Sequence, residues 1–427
     1  MAYNRKQRLN DNIKAIETAF ILDREQRTPT ARERLLLERY CGFGGLKCIL
    51  NPARELADAV HWAKSDLELF APTVELHRLI RENSKNESEY KQLMDSLKQS
   101  VLTAFYTPSA VTEALTDVLK EHQIIPEKVL EPSAGIGAFV DSVLDNNPKA
   151  DIMAFEKDLL TGKILHHLHP EQKVRIEGFE KIEKPFNDYF DLAISNIPFG
   201  DVAVFDPSYT AMKGMRALVT RRIHNYFFVK ALDTVRDGGL VAFITSQGVL
   251  NAKNNSAARF MMLYHADLVS AIRLPNNLFT ENANTEVGSD LIILQKNSQK
   301  ESLRGDDNLL DTVYNDENRI PTNNYFLEHP ERIIHTTAKL DTDSFGKPAM
   351  IYTHEDGVEG IAEDLRKMLH EDFKKNLNLN RYLGIEETKA EEVKEVEETE
   401  KIEKTEKIKP SIEEKQNDTV VSLQKQA

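Results

Sequence analysis

Short apolar runs alternate with amphipathic stretches along the middle of the chain. "KVLEPS", "ADIMAFEKD", "FDLAISN" and "LVAFITS" have the apolar, β-branched character of buried strands. "VTEALTDVLKEH", "GAFVDSVLDN" and "YFFVKALDTVRDGG" repeat apolar residues at helical spacing. This alternation predicts an α/β fold with a doubly wound, mostly parallel sheet. Two later runs, "DLVSAIRLP" and "SDLIILQK", predict an antiparallel pair of strands at one edge of that sheet.

The two ends of the chain differ from its middle. Residues 1–100 contain good helix formers and few strand signals, so we expect a helical N-terminal region. Its "YCGFGGL" stretch lacks the Lys-Ser/Thr pair of a phosphate-binding loop, and we interpret it as a structural turn. Residues 386–427 are rich in Glu and Lys and lack aromatic residues, which predicts a disordered, charged tail.

Composition narrows the classes of function. A formal net charge of −14 argues against a broad basic surface, but it leaves room for a local basic patch. Cys41 and Cys48 have no partner pair and no histidine cluster, so we predict no metal site and no disulfide framework. No apolar run approaches the roughly 20 residues that a membrane helix needs. We therefore expect a reduced, cytoplasmic setting without a membrane anchor.

The first chemical signal is a pair of glycines followed by an acid. Gly135 and Gly137 come after a predicted strand and open a helix, where they permit close approach of a ligand. Glu131, just before them, suits a cationic ligand such as the ammonium of a methionine moiety better than a phosphate. Glu156 ends the next strand about 20 residues later, where a carboxylate can accept bonds from two ribose hydroxyls. The structural alternative is a glycine turn for packing and a solvated glutamate.

The second signal is "DLAISNIPFGD", where polar and aromatic residues follow a buried strand. Asn196 would lie at the carboxyl end of the strand, where open α/β sheets bind ligands. Its side-chain carbonyl, the carbonyls beside the Ile197–Pro198 bond and the flat ring of Phe199 suit a planar base with an exocyclic amine. Two acceptors would aim the amine's lone pair at an electrophilic methyl group while the ring stacks on the base. An Asx turn capped by proline is the structural alternative.

These segments together resemble a known family. "FYTPSAVTEAL", "VLEPSAGIGAFV", "IMAFEKD", "IEGFEKI" and "DLAISNIPFGD" have the order and spacing of the N-6 adenine-specific DNA methylases. The chain is most similar to the methylase portion of methylase-helicase proteins of bacterial mobile elements and phages, over most of residues 35–335. The resemblance implies a Rossmann-like, S-adenosylmethionine-dependent methyltransferase domain over residues 101–298. Residues 299–385 would then form a small C-terminal region that is a candidate for DNA or partner contact.

The resemblance also implies a role for each matching residue. The expected cofactor-binding residues are Tyr106, Thr107, Pro108, Glu131, Gly135, Gly137, Glu156 and Phe179. The first three would hold the methionine end of S-adenosylmethionine, Glu156 the ribose, and Phe179 would stack near the adenine. The expected catalytic residues are Asn196, Ile197, Pro198 and Phe199. The first three would polarise the target amine, and Phe199 would stack on the flipped base.

Two positions depart from the family's usual pattern. Ile197 replaces the first proline of the motif, from which we expect a less rigid loop. Gly178 stands where an acidic residue often precedes the phenylalanine, so adenine recognition would rely on Glu180, on backbone or on water. Basic residues after the loop, namely Lys213, Arg216, Arg221 and Arg222, would border a DNA cleft or form a plain solvated helix start. For Arg273 we favour an internal ion pair over a place in that cleft.

The favoured prediction is transfer of a methyl group from S-adenosylmethionine to the exocyclic N6 amine of adenine in DNA. One alternative is a catalytically weak, cofactor-binding accessory protein of a mobile-element or defence complex. Another is methylation of a protein glutamine amide, which the same Asn-Pro chemistry permits. DNA is the expected partner, and because the chain shows no helicase half, a helicase or another mobile-element subunit acting in trans is a further candidate.

Overall fold

A seven-stranded sheet lies at the centre of the protein, with strands in the order β3-β2-β1-β4-β5-β7-β6. The computed structural model describes residues 4–103, 106–212, 214–280, 286–303, 307–314, 319–343 and 346–385. The sheet strands are β1 Lys128–Glu131, β2 Asp151–Phe155, β3 Lys173–Arg175, β4 Phe190–Asn196, β5 Val235–Ser246, β6 Ala266–Leu274 and β7 Ser289–Lys296. The predicted tail, residues 386–427, lies outside the described residues.

Strand direction confirms the predicted doubly wound sheet. Strands β1 to β5 pair in parallel, whereas β7 runs antiparallel to both β5 and β6. The antiparallel pair at the edge was thus predicted, but the insertion of β7 between β5 and β6 was not. The short edge strand β3 was also missed, because three residues carry too little periodicity to be recognised.

Helices cover both faces of the sheet, and further helices precede and follow the sheet strands in the chain. Those that precede β4 are α1 Arg5–Glu25, α2 Ala31–Leu37, α3 Phe70–Glu82, α4 Glu87–Thr103, α5 Ser109–Glu121, α6 Ala138–Asn146 and α7 Leu159–Leu168. After β4 come α8 Pro207–Thr210, α9 Met215–Val219, α10 Ile223–Thr234, α11 Gly248–Asn251 and α12 Ser256–His265. Further helices span Asn324–Glu328 and Gly357–Asn376. Short 3-10 helices include Leu56–His61, Phe179–Lys181 and Asn276–Phe279.

The N-terminal helices share a hydrophobic core with the α/β part of the chain. Buried apolar residues of α1, α3 and α4 cluster with Leu160, Ile164 and Leu168 of α7. At the same junction the Ser96 hydroxyl donates a 2.6 Å hydrogen bond to Asp158, the residue that caps α7. Phe43 of the glycine-rich "YCGFGGL" stretch is fully buried in this core, as expected of a structural turn.

The C-terminal part adds two small hairpins and a long helix. Strands β8 Thr312–Tyr314 and β9 Pro321–Asn323 pair antiparallel, as do β10 Thr337–Thr342 and β11 Pro348–Thr353. Residues 1–377 form one compact unit, and the described part of the second unit holds the short helix Leu379–Tyr382. Both cysteines are free thiols. None of the described helices combines the length and the apolar character that a membrane crossing requires.

Candidate functional site

The loop between β1 and α6 needs glycine at two positions. Gly135 and Gly137 have φ angles of 58° and 97°, in the left-handed region that other residues rarely adopt. A Cβ atom on Gly135 would lie 2.7 Å from the ring of Tyr106, and one on Gly137 would overlap the imidazole of His169. The glycines therefore serve both the backbone conformation and close packing around the loop.

Glu156 lies directly after β2 and contacts this glycine loop. One carboxylate oxygen accepts a 2.8 Å hydrogen bond from the Gly135 N–H, and the other accepts a 2.7 Å bond from the Asp158 N–H. Burial, followed by the negative charge of Asp158, raises the pKa of Glu156 to about 8. The structure thus brings together the two sequence signals, the glycines and the acid, at the carboxyl edge of the sheet.

The buried polar atoms near the loop that have no hydrogen-bond partner among the described residues include Thr107 Oγ1 and Glu131 Oε2. Glu131 is 2% exposed, and burial raises the pKa of its carboxyl well above the usual range. A buried carboxyl oxygen without a partner is costly unless a ligand supplies one. These two atoms, with the glycine loop, fit a ligand that carries an ammonium group, as the methionine end of S-adenosylmethionine does.

Tyr106 and Pro108 flank Thr107 just before α5. The Tyr106 ring packs against Gly135, and Pro108 is the residue before the first turn of α5. Burial and the nearby Tyr40 raise the pKa of the Tyr106 phenol well above its ordinary value. Because Tyr40 belongs to the N-terminal region, that region reaches the candidate cofactor site, which the sequence did not predict.

Asn196 is the last residue of β4, the strand next to β1. In the register of β4 with β5 it faces Ile244, and Leu130 of β1 faces Ala193 of β4. The predicted catalytic motif therefore begins at the same sheet edge as the glycine loop. The half-buried Phe199 ring packs edge-on against Phe279, with 6.4 Å between ring centroids.

The structure restrains Ile197 in a way that the sequence did not indicate. Its side chain is 1% exposed and belongs to the core of the α/β part. Its backbone N–H donates a 3.0 Å hydrogen bond to the carbonyl of Ile244. A proline at this position would rigidify the loop through its ring but would have no N–H to give. The expected looseness at Ile197 is thus countered by burial and by an extension of the strand pairing.

Phe179 is 1% exposed, with its ring against Phe155, Tyr226 and Phe227. Its predicted stacking near an adenine stays a prediction. Beside it, a Cβ on Gly178 would lie 2.5 Å from Glu180 Oε1 and closer still to Oε2, so the Glu180 carboxylate occupies the space of the missing side chain.

Ser195 links the two halves of the site and was missed in the sequence. It is fully buried in β4, and its hydroxyl donates to the Ser133 carbonyl at 3.3 Å. The Ser195 side chain also lowers the pKa of Glu131, which partly offsets the effect of burial on that carboxyl. The only signal was a serine within an apolar strand.

The basic residues after the motif are mostly paired. Arg216 forms two hydrogen bonds to Asp233, of 2.6 and 2.9 Å, and Arg222 lies 2.8 Å from Asp201. Lys213 lies outside the described residues. Arg273 forms a buried ion pair with Asp290 at 2.9 Å, which confirms the interpretation of an internal pair. Within the described ranges, no cluster of three or more His, Cys, Asp or Glu side chains is arranged to hold a metal ion.

Comparison with known proteins places this arrangement in context. The "Defense against restriction protein B" of Escherichia phage P1 is 29% identical over 201 residues, which are 46% of this chain and 8% of that protein. The "Type II methyltransferase M.XamI" of Xanthomonas campestris pv. amaranthicola is 24% identical over 173 residues, 38% of this chain and 33% of that protein. The chain thus spans a small part of the phage protein and a third of the Xanthomonas enzyme.

Solved structures that match the chain do so with low TM-scores. A class I S-adenosylmethionine-dependent methyltransferase of Listeria monocytogenes has a TM-score of 0.40 and 15% identity, covering 70% of this chain and 90% of that chain. A modification subunit of a type I restriction enzyme of Vibrio vulnificus has a TM-score of 0.39 and 14% identity, with coverages of 81% and 89%.

The N-6 DNA Methylase family profile matches residues 88–391, more than half of the sequence. The chain therefore belongs to the N-6 DNA methylase family.

Proposed function

We propose that the protein transfers a methyl group from S-adenosylmethionine to the exocyclic N6 amine of adenine in DNA. The observation that carries this proposal is the position of Asn196 at the end of β4, directly beside the β1 loop that holds Gly135 and Gly137. An acceptor base at Asn196 and a cofactor at the glycine loop would share one edge of the sheet.

The cofactor would be held by residues that still have hydrogen-bonding capacity in the site. Glu131 Oε2 and Thr107 Oγ1 would receive the ammonium end, since both are buried without partners among the described residues. The Glu156 carboxylate, already oriented by two backbone N–H groups, retains lone pairs for the ribose hydroxyls. When bound, S-adenosylmethionine supplies an electrophilic methyl group on a positively charged sulfur.

The residues of the motif would act on the acceptor amine. The side-chain carbonyl of Asn196 and a backbone carbonyl of the Ile197–Pro198 segment would each accept one N6 hydrogen. This pair of bonds withdraws the nitrogen lone pair from ring conjugation and directs it toward the methyl carbon. The methylated amine is then acidic enough to lose its proton to water, so no separate general base is required. The ring of Phe199 would stack on the extruded base.

The decisive experiment is transfer of labelled methyl from S-adenosylmethionine to unmethylated DNA, followed by nucleoside analysis. We expect N6-methyladenine with the wild type and none with Asn196→Ala, whose cofactor binding by calorimetry should be unchanged. Glu156→Ala should lose cofactor binding. Cofactor binding without label in DNA, also after a helicase subunit is supplied, would favour an accessory protein. Label in protein glutamine would overturn adenine as the acceptor.

A further inference from the structure

Large apolar side chains are exposed along residues 202–218, which follow Asn196 in the chain. The exposed members are Val202, Phe205, Met212, Met215 and Leu218. Phe205 is 77% exposed, against 48% for Tyr314 and 46% for Tyr264, the next most exposed aromatic residues in the described ranges. A phenylalanine left in water forgoes the hydrophobic free energy of burial, and several exposed apolar side chains in one segment are typical of an interaction surface.

The backbone on both sides of Phe205 is anchored. The Val204 N–H donates a 2.8 Å hydrogen bond to the Thr220 carbonyl. Asp206 is 3% exposed and accepts bonds from the Tyr226 hydroxyl at 2.7 Å and from Lys230 at 3.2 Å. Phe205 is therefore an exposed side chain between two fixed neighbours, which is the arrangement of a ring presented to a partner.

Burial raises the pKa of Asp206, but its hydrogen bonds outweigh this effect. Donors from Ser208, Tyr226 and Lys230 hold the pKa of this carboxyl below its ordinary value. The anchor therefore stays ionised at neutral pH and keeps its acceptors available to all three donors.

An exposed arginine lies on the segment that is hydrogen-bonded to the Phe205 segment. Arg221 directly follows Thr220, as Phe205 directly follows Val204, and the Val204–Thr220 bond joins the two segments. Arg221 is exposed and has no side-chain partner among the described residues, in contrast to the paired Arg216 and Arg222. An exposed aromatic residue and an exposed arginine on two joined segments suit a ligand that offers both a flat apolar gap and a negative charge.

We propose that Phe205 enters the gap left in duplex DNA when the target base is extruded, while Arg221 contacts a neighbouring phosphate. The inference rests on the proposed function, because only a base-flipping reaction opens such a gap. Proteins that distort DNA insert apolar side chains between base steps in this way. Phe205 follows the Asn196 motif in one loop, and the exposed Arg221 on the joined segment favours a polyanion over an apolar protein surface.

The test compares methyl transfer to one unmethylated plasmid in duplex and in heat-denatured form. For Phe205→Ala we expect a rate at least about 10-fold lower on the duplex and less than about 2-fold lower on denatured DNA, since single strands need no extrusion. Phe205→Leu should retain most of the duplex rate because it keeps an apolar side chain. The matched control is Leu56→Ala, which removes a side chain 85% exposed in the N-terminal region and should change neither rate.

The proposed phosphate contact of Arg221 is tested separately, by the salt dependence of DNA binding. Arg221→Gln should weaken binding to both DNA forms and reduce the slope of log affinity against log salt by about one. Arg39→Gln, at an exposed arginine of the N-terminal region, is the control and should leave the slope unchanged. An unchanged slope in Arg221→Gln would remove the phosphate contact from the proposal.

Each other outcome overturns the inference in a distinct way. Equal loss on both DNA forms would assign Phe205 to the active site or the fold. No loss on either form would assign the exposed patch to contact with another protein. A wild type that methylates only denatured DNA would refute insertion but leave adenine methylation standing. A wild type that methylates neither form would refute the proposed function itself, and this inference with it.

Discussion

The backbone N–H of Ile197 donates a 3.0 Å hydrogen bond to the carbonyl of Ile244, just after Asn196, the last register position of β4 with β5. This bond fixes the chain at the first residue after Asn196, where the motif leaves the sheet. Ile197 thus holds the motif by a donor and a buried side chain, neither of which a proline could supply in the same form.

Ile197→Pro should therefore destabilise the protein, although it restores the family's usual motif. Loss of the donor leaves the Ile244 carbonyl without its partner, at a cost of about 1–3 kcal/mol in the free energy of unfolding. Ile197→Val keeps the N–H and should cost about 0.5–1.5 kcal/mol. Denaturant unfolding of both variants measures the difference. If the proline variant were as stable as the valine variant, the hydrogen bond would have no importance for the loop.

Binding of the ribose should depend on pH through Glu156. Its pKa of about 8 means that the carboxyl is largely neutral below that pH and becomes a full acceptor above it. Affinity for 5′-methylthioadenosine should therefore rise from pH 7 to pH 9. This ligand is the right probe because it lacks the amino group of the cofactor, which titrates in the same range. A pH-independent affinity in the wild type would contradict the prediction, and Glu156→Gln should show none of the rise.

The raised pKa of Glu156 also has a consequence for stability. The folded state binds a proton that the unfolded state has released, so Glu156 lowers stability progressively as the pH rises from its unfolded pKa toward about 8. Glu156→Gln should flatten this part of the stability profile. Denaturant midpoints measured between pH 5 and pH 9 test the sign.

Glu131→Gln should distinguish the contributions that the two ends of the cofactor make to binding. The buried Oε2 of Glu131 is our proposed acceptor for the ammonium, so affinity for S-adenosylmethionine should fall about 10-fold or more, because glutamine has no negative charge to pair with the ammonium. Affinity for 5′-methylthioadenosine should change little. An equal loss for both ligands would mean that the substitution distorts the whole loop.

Two glycine substitutions provide a matched pair for the conformational argument. Gly137→Ala forces a Cβ into the left-handed region and onto His169, and it should cost at least about 1–2 kcal/mol. Gly178 has an ordinary φ of −77°, and only the flexible Glu180 side chain must move in Gly178→Ala. That variant should stay within about 0.5 kcal/mol of the wild type. Thermal unfolding compares them, and similar losses would contradict the role of φ.

Breaking the buried ion pair between Arg273 and Asp290 should destabilise the folded protein. Both side chains are almost fully buried, and Arg273 also lies over the ring of Phe326 at 4.1 Å. Arg273→Met leaves an uncompensated carboxyl and should cost about 3–5 kcal/mol. Combining it with Asp290→Leu should recover part of that loss, because no charge is then left buried alone. A double-mutant cycle of unfolding free energies gives the coupling, and simple additivity would contradict it.

The local sequence pattern was sufficient to predict most helices and strands of the sheet region and the order of the site motifs along the chain. The apolar run of β4 and the helical spacing of α5 are properties of neighbouring residues, so they could be recognised without the fold. The glycines and Glu156 were likewise identified together, because the connection from a parallel strand to the next returns both strand ends to one edge. The hydrogen bond from the Gly135 N–H to Glu156 shows that the two are in contact, and their binding of the cofactor stays a prediction.

Other features depended on contacts between residues far apart in the chain. The place of β7 between β5 and β6 follows from strand pairing over long loops, which periodicity does not encode. The packing of Leu160 with the N-terminal helices depends on surfaces whose apolar residues show no preferred partner in the sequence.

The amino-acid sequence was thus enough to predict the α/β class and the family, since both rest on residue type and short-range spacing, and the roles of the candidate residues stay predictions. The tertiary structure decided how those residues are held: Ile197 by the Ile244 carbonyl, Glu156 by the N–H groups of Gly135 and Asp158, and Glu131 by burial. Hydrogen-bond partners and burial are properties of atoms brought together by folding. They exist only after distant segments have met.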